Sequence, residues 1–89
     1  MLVLTCTVGR PVRIGAKTFT LETIGRYGTV TFTYGGRHHT VSQEEPTEVE
    51  PDSGTITYLD RTKCSMSRAR FGFDFPRHVQ IARDERGEA

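Results

Sequence analysis

Along most of this chain, apolar residues return at every second position, a rhythm that only extended strands place on one face. The opening run alternates Leu2, Leu4, Cys6 and Val8 against Val3, Thr5 and Thr7. Phe19 and Leu21 alternate with threonines, and Val30, Phe32 and Tyr34 alternate with Thr29, Thr31 and Thr33. Phe71, Phe73 and Phe75 repeat the pattern near the end, and Val79 and Ile81 resume it after Pro76. β-Branched and aromatic residues fill these runs, as a pleated, half-buried surface requires. No longer segment carries helical periodicity, and Gly87 disfavours a helix in the tail 84–89. The expected class is all-β.

Turn chemistry divides the runs. Gly9 and Pro11 mark a turn followed by a strand start or an edge strand. Gly15 closes a short strand, residues 26–28 form a turn, and Gly35-Gly36 predicts a hairpin whose return strand is 38–42. Residues 43–54 hold two prolines, five acids and no aromatic, which reads as an exposed loop. A strand resumes over 55–59, and 60–68 is polar and ambiguous. Residues 18–45 also align loosely with 55–85, best at Arg37, His38, Val41, Glu44 and Glu45 against Arg77, His78, Ile81, Asp84 and Glu85. Either a three-strand unit was duplicated, or alternating strands simply look alike.

With 89 residues the expectation is one domain, 1–89, with little stability to spare. The net charge of +1 hides a segregation. Residues 1–40 carry five basic residues and one acid, 41–60 carry six acids and no base, and 61–83 carry six bases and one acid. Two basic segments that meet in space would form a polyanion site, whereas segments that stay apart are ordinary solvated strands. The apolar start "MLVL" is too short for a secretory signal and lacks a basic n-region, and no stretch reaches membrane-spanning length. The expectation is a cytoplasmic protein with no membrane partner and with Cys6 and Cys64 as free thiols. Cys6 sits in the apolar phase of its strand, where a buried, inert thiol is expected.

His38, His39, His78, Cys6 and Cys64 lack compact zinc-ligand spacing, so no metal or other cofactor is expected. No serine or cysteine has a recognisable base partner, and no glycine-rich phosphate loop precedes a helix. No enzyme is expected. The three phenylalanines share one face and read as core rather than as a base-stacking platform.

The two ends of the chain resemble the carbon storage regulator family, CsrA and its Rsm relatives. "MLVLT..VG....IG" stands where that family has a first strand, a tight turn and a second short strand. "RFGFDFPRHVQIARDE" follows the family's closing pattern at Arg70, Gly72, Pro76, Arg77, Val79, Ile81, Arg83 and Glu85. Residues 1–26 and 69–85 are the family-like parts. Residues 27–68 stand between them as an insertion, either an extra hairpin grown into the sheet or part of the duplicated unit. The resemblance implies interlocked dimers of small antiparallel sheets, with little or no C-terminal helix. The first strand of one copy pairs with the last strand of the other, so Val79–Arg83 would lie against Val3–Thr7 of its twin.

The resemblance also implies binding of messenger RNA, or a small regulatory RNA, at GGA-containing loops, and hence control of translation. Carried over by position, the RNA surface comprises Leu4, Thr5, Phe75, Pro76, Arg77, Val79, Ile81, Ala82 and Arg83, with Arg83 the main anchor. Unstacked loop bases expose donors and acceptors that a fixed backbone can match. One departure bears on this: Cys6 and Thr7 stand where the family carries two arginines. Each missing phosphate contact flattens the salt dependence by a slope of about 0.7 for a single strand. The alternative expectation is a protein-interaction variant, a heterodimer partner that antagonises a normal family member.

Overall fold

A computed structural model describes residues 2–25, 28–50, 54–61 and 67–83. They form β1 (Leu2–Thr7), β2 (Pro11–Ile14), β3 (Lys17–Ile24), β4 (Thr29–Tyr34) and β5 (Arg37–Ser42). β6 (Pro46–Glu50), β7 (Gly54–Arg61), β8 (Arg68–Asp74) and β9 (Ile81–Arg83) follow. The chain is all-β, as its alternation dictates, with two antiparallel sheets ordered β1-β8-β7-β6 and β5-β4-β3-β2-β9. Among the described residues there is no helix, and so none long and apolar enough to cross a membrane.

The inward phases of the two sheets meet in a core of phenylalanines. Phe19 and Phe32 come from the five-stranded sheet, Phe71 and Phe73 from the four-stranded one, and all four are essentially fully buried. The Phe19 ring lies 5.0 Å from Phe32, 5.1 Å from Phe71 and 5.2 Å from Phe73, the last two edge-on. Edge-on rings set a positive rim against a negative face and gain energy beyond area burial. Cys6 is buried, and Val12, Ile14, Ile56 and Tyr58 close the core around the rings.

Among the described residues, strict alternation fails at three places, each marked by a register irregularity. In β3–β4 the shift falls between Leu21 and Thr23, so that Ile24 turns inward along with Phe19 and Leu21. Similar shifts fall between Tyr58 and Asp60 and between Glu48 and Glu50. The expected hairpin at Gly35-Gly36 forms, with φ of +57° and +86°, the pair of positive values that a two-residue hairpin turn demands.

Two expectations need correction. Residues 43–50 are not a plain loop, because β6 runs from Pro46 to Glu50 and pairs with β7, while 51–53 of the expected loop lie outside the described residues. Its acids alternate with Thr47 and Val49, so they mark a polar edge strand rather than unstructured chain. The final strand is also shorter than read: β9 starts at Ile81, and Val79 donates its N–H to the Pro76 carbonyl in a turn. The readings for 26–27, 62–66 (with Cys64) and the tail 84–89 lie outside the described residues. The repeat is not matched in topology. β3, β4 and β5 form a meander, whereas β8 and β9 fall in different sheets.

Edges are guarded unequally. β6 opens with Pro46 and carries Glu48 and Glu50, β5 opens with Arg37 and two histidines, and β9 is only three residues long. β1, "LVLTCT", has neither charge nor proline, and it exposes Leu2 and Val3 at 43% each. Short strands, charges and proline are the usual blocks to edge pairing, and β1 has none of them.

The ring cluster sets the energetic hierarchy. Phe19→Ala should cost about 3–5 kcal/mol, enough to unfold much of a domain this small. Phe75→Ala, at a half-buried position, should cost clearly less. Urea unfolding followed by far-UV circular dichroism measures both, and equal losses would contradict the packing described.

Candidate functional site

Three described connections gather where β2, β4 and β8 end: the β2–β3 turn at Gly15–Ala16, the β4–β5 turn at Gly35–Gly36, and the loop 75–80. The loop is tied down. Val79 N–H bonds the Pro76 carbonyl at 3.0 Å, and Gly15 N–H bonds the Gln80 carbonyl at 2.8 Å. Phe75 packs towards Tyr34 with ring centroids 6.2 Å apart, and a Cβ on Gly54 would collide with the Phe75 ring. Phe75, Pro76 and Val79 are half-buried, while Arg77 and His78 stand exposed at the tip of the turn between them. An apolar bracket thus holds a basic tip away from the core.

A polar cluster lies beside this loop. The Lys17 Nζ donates to Glu50 Oε2 at 2.5 Å, and the Tyr34 hydroxyl donates to the same oxygen at 2.9 Å. The Lys17 ammonium also sits 5.6 Å from the Tyr34 ring centroid, within cation–π range. The hydrogen bond from Lys17, then that from Tyr34, holds the Glu50 carboxyl below the ordinary carboxylate range. Burial first, and the bond to Glu50 second, push the Tyr34 phenol up, so it stays protonated as a donor. Two clefts share this cluster as a wall. One, of about 270 Å³, runs from Ile14–Ala16 to Phe75 and Val79. The other, of about 380 Å³, continues to Arg37, His39 and Glu48.

The residues read from the sequence divide into two groups. Phe75, Pro76, Arg77 and Val79 come together in the loop, and Ile81, Ala82 and Arg83 follow in β9, opposite Ile14, Arg13 and Val12 of β2. Leu4 and Thr5 lie on β1 in the other sheet, opposite Phe71 and Arg70 of β8. Within one chain they share no ladder with β9. The three-residue link from β1 into β2 nevertheless keeps both terminal strands on the same side of the sandwich. Arg70 is engaged elsewhere. Its Nε donates to Asp60 Oδ1 at 2.8 Å and its Nη2 to Oδ2 at 2.5 Å, a bidentate pair across β7–β8.

The sequence reading missed Lys17, Tyr34 and Glu50. Tyr34 read as part of one face of an alternating strand, Glu50 as part of an acidic loop, and Lys17 as the start of a strand. Their partners lie 16 and 33 positions apart, beyond any local pattern.

Because the folded Glu50 carboxyl is depressed, its bonds stabilise the fold above the unfolded value of about 4.3. That contribution fades as pH falls through the folded value. Glu50→Gln should therefore be less stable than the parent at neutral pH, with a shallower acid decline, so the two converge towards pH 3. Urea midpoints between pH 7 and pH 3 check this, and parallel curves would count against it. No protein-family model, no curated protein and no solved structure matches the chain.

Proposed function

We propose that this protein is an RNA-binding post-transcriptional regulator that engages unpaired, GGA-containing loops of messenger leaders. The observation that carries the reading is the loop 75–80. Its exposed Arg77 and His78 stand on a half-buried apolar bracket and lead within three residues into the edge strand β9. Such a loop offers phosphate contacts next to a row of main-chain donors and acceptors, the combination that single-stranded RNA loops accept. The resemblance of residues 1–26 and 69–85 to the carbon storage regulator family supplies the target class and the cytoplasmic setting.

The functional unit in this reading is a homodimer. β9 has a strand partner only on its β2 side, and β1 only on its β8 side, among the described residues. A second copy brings β9 against the remaining edge of β1 without breaking a ladder among the described residues of either chain. Leu4 and Thr5 of one copy then join Ile81, Ala82 and Arg83 of the other on one surface. The uncharged β1 favours a second reading on the same edge: pairing with a normal family member and blunting its RNA site.

Gel shifts of a GGA hairpin against a scrambled control test the proposal. Binding is expected in the micromolar range and falls with salt. Arg77→Ala should weaken it and lower the salt slope by about 0.7, and Arg83→Ala should remove most of it. Full binding by Arg83→Ala sinks the assigned surface. No shift at tens of micromolar, together with heterodimers from mixed labelled chains, favours the second reading.

A further inference from the structure

We infer that the cleft between the β2–β3 turn and the loop 75–80 is a pocket for one unstacked guanine base, read by Lys17 and Glu50. The inference rests on the RNA-binding reading and adds to it a site away from the strand edges. Tyr34 and Glu50 both belong to residues 27–68, outside the two ends that carry the family resemblance.

The cleft has the size and lining for a single base. Its volume, about 270 Å³, falls just under the roughly 300–1,000 Å³ of ordinary ligand pockets, which suits one flat ring system. Ile14, Ala16 and Val79 supply aliphatic walls, and Tyr34 and Phe75 supply rings. Bases stack on aromatic faces whatever their identity, so these walls give affinity but no choice of base.

The choice comes from the charged pair. Both hydrogen bonds received by Glu50 end on Oε2, and among the described residues Oε1 receives none. The carboxylate is therefore held in one orientation by Lys17 and Tyr34 with an acceptor left over, while the half-exposed Lys17 ammonium keeps further N–H donors. Side by side they present a charged acceptor and a charged donor. The Watson–Crick edge of guanine carries two adjoining donors, N1–H and N2–H₂, next to the O6 acceptor. Adenine, cytosine and uracil each lack that donor pair. Oε1, with both its lone pairs unused, takes the two guanine donors together in charge-assisted bonds, stronger than neutral ones. Arg77 and His78 on the bordering loop, with Arg37 in the adjoining cleft, stand ready for the flanking phosphates.

The test uses the full chain, ¹⁵N-labelled, with the single-stranded RNAs UUGUU and UUAUU and with GMP and AMP. The guanine oligomer should bind about tenfold more tightly than the adenine one. GMP, and not AMP, should shift the amides of Gly15, Ala16, Glu50 and Val79. Glu50→Gln should bring the two oligomers to within about twofold of each other, with its far-UV spectrum unchanged. Ala16→Trp, at an exposed turn position, should fill the cleft and give the same loss while leaving the Lys17–Glu50 pair intact. If the guanine oligomer binds but those amides stay still, or if Glu50→Gln keeps the preference, the pocket is overturned and the RNA reading stands. If neither oligomer binds, the pocket is overturned, and the RNA reading then stands or falls on the GGA-hairpin gel shift.

Discussion

The contact of the Phe19 ring with Phe32, Phe71 and Phe73 is the interaction on which the rest of the molecule depends. It joins the two sheets at their centre, and it comes from residues 13 to 54 positions away along the chain. A chain this small has few other apolar layers to bury. The turns beyond the strand ends are therefore free of core duty. The turns at Gly15–Ala16 and Gly35–Gly36 and the loop 75–80 vary in chemistry because the rings beneath them hold the strands in place.

That division explains why the chemistry collects at one end. β2 and β8 lie in different sheets, yet both finish at this end, so the turn after one and the loop after the other are brought side by side. Phe75 belongs to both layers: it continues the alternation of Phe71 and Phe73, yet it sits at the rim, half-exposed against Tyr34. Gly54 makes room for it, since any side chain there would strike the ring. The rim is in this sense built from the core outward.

The sequence revealed the strands because burial on one face leaves a period of two, which any reader of the chain can count. It did not reveal β6, because an edge strand with glutamates on alternate positions has the composition of a loop. Nor did it reveal where Ile24 points, because a bulge changes the phase without changing the residues. The loop 75–80 was legible as a unit, since Pro76 and the flanking apolar residues mark it locally. The Lys17–Tyr34–Glu50 cluster was not, because it exists only after three separate strands have been brought to one end. A motif carried by neighbours in sequence survives a linear reading, whereas one assembled by topology does not.

The unguarded edge of β1 follows from the same logic. β5, β6 and β9 each carry a device against stray pairing, and the cost of such devices is small, a charge or a shortened strand. A six-residue strand without charge or proline, with Leu2 and Val3 exposed, is a liability for a protein that works alone. It is an asset for one that docks a strand there. In the proposed dimer, β9 is the strand best suited to the role. It is short, it ends its own sheet, and the loop before it is already fastened to the β2–β3 turn through Gly15 and Gln80. From Ile81 to Arg83 the strand spans only about 7 Å, so in the proposed dimer a nucleotide seated in the cleft and one lying on the β1–β9 seam would be close neighbours on the same strand of RNA. In the proposed dimer, a seam and a pocket at that separation would make one continuous surface, and that continuity would let an edge strand of three residues contribute to recognition.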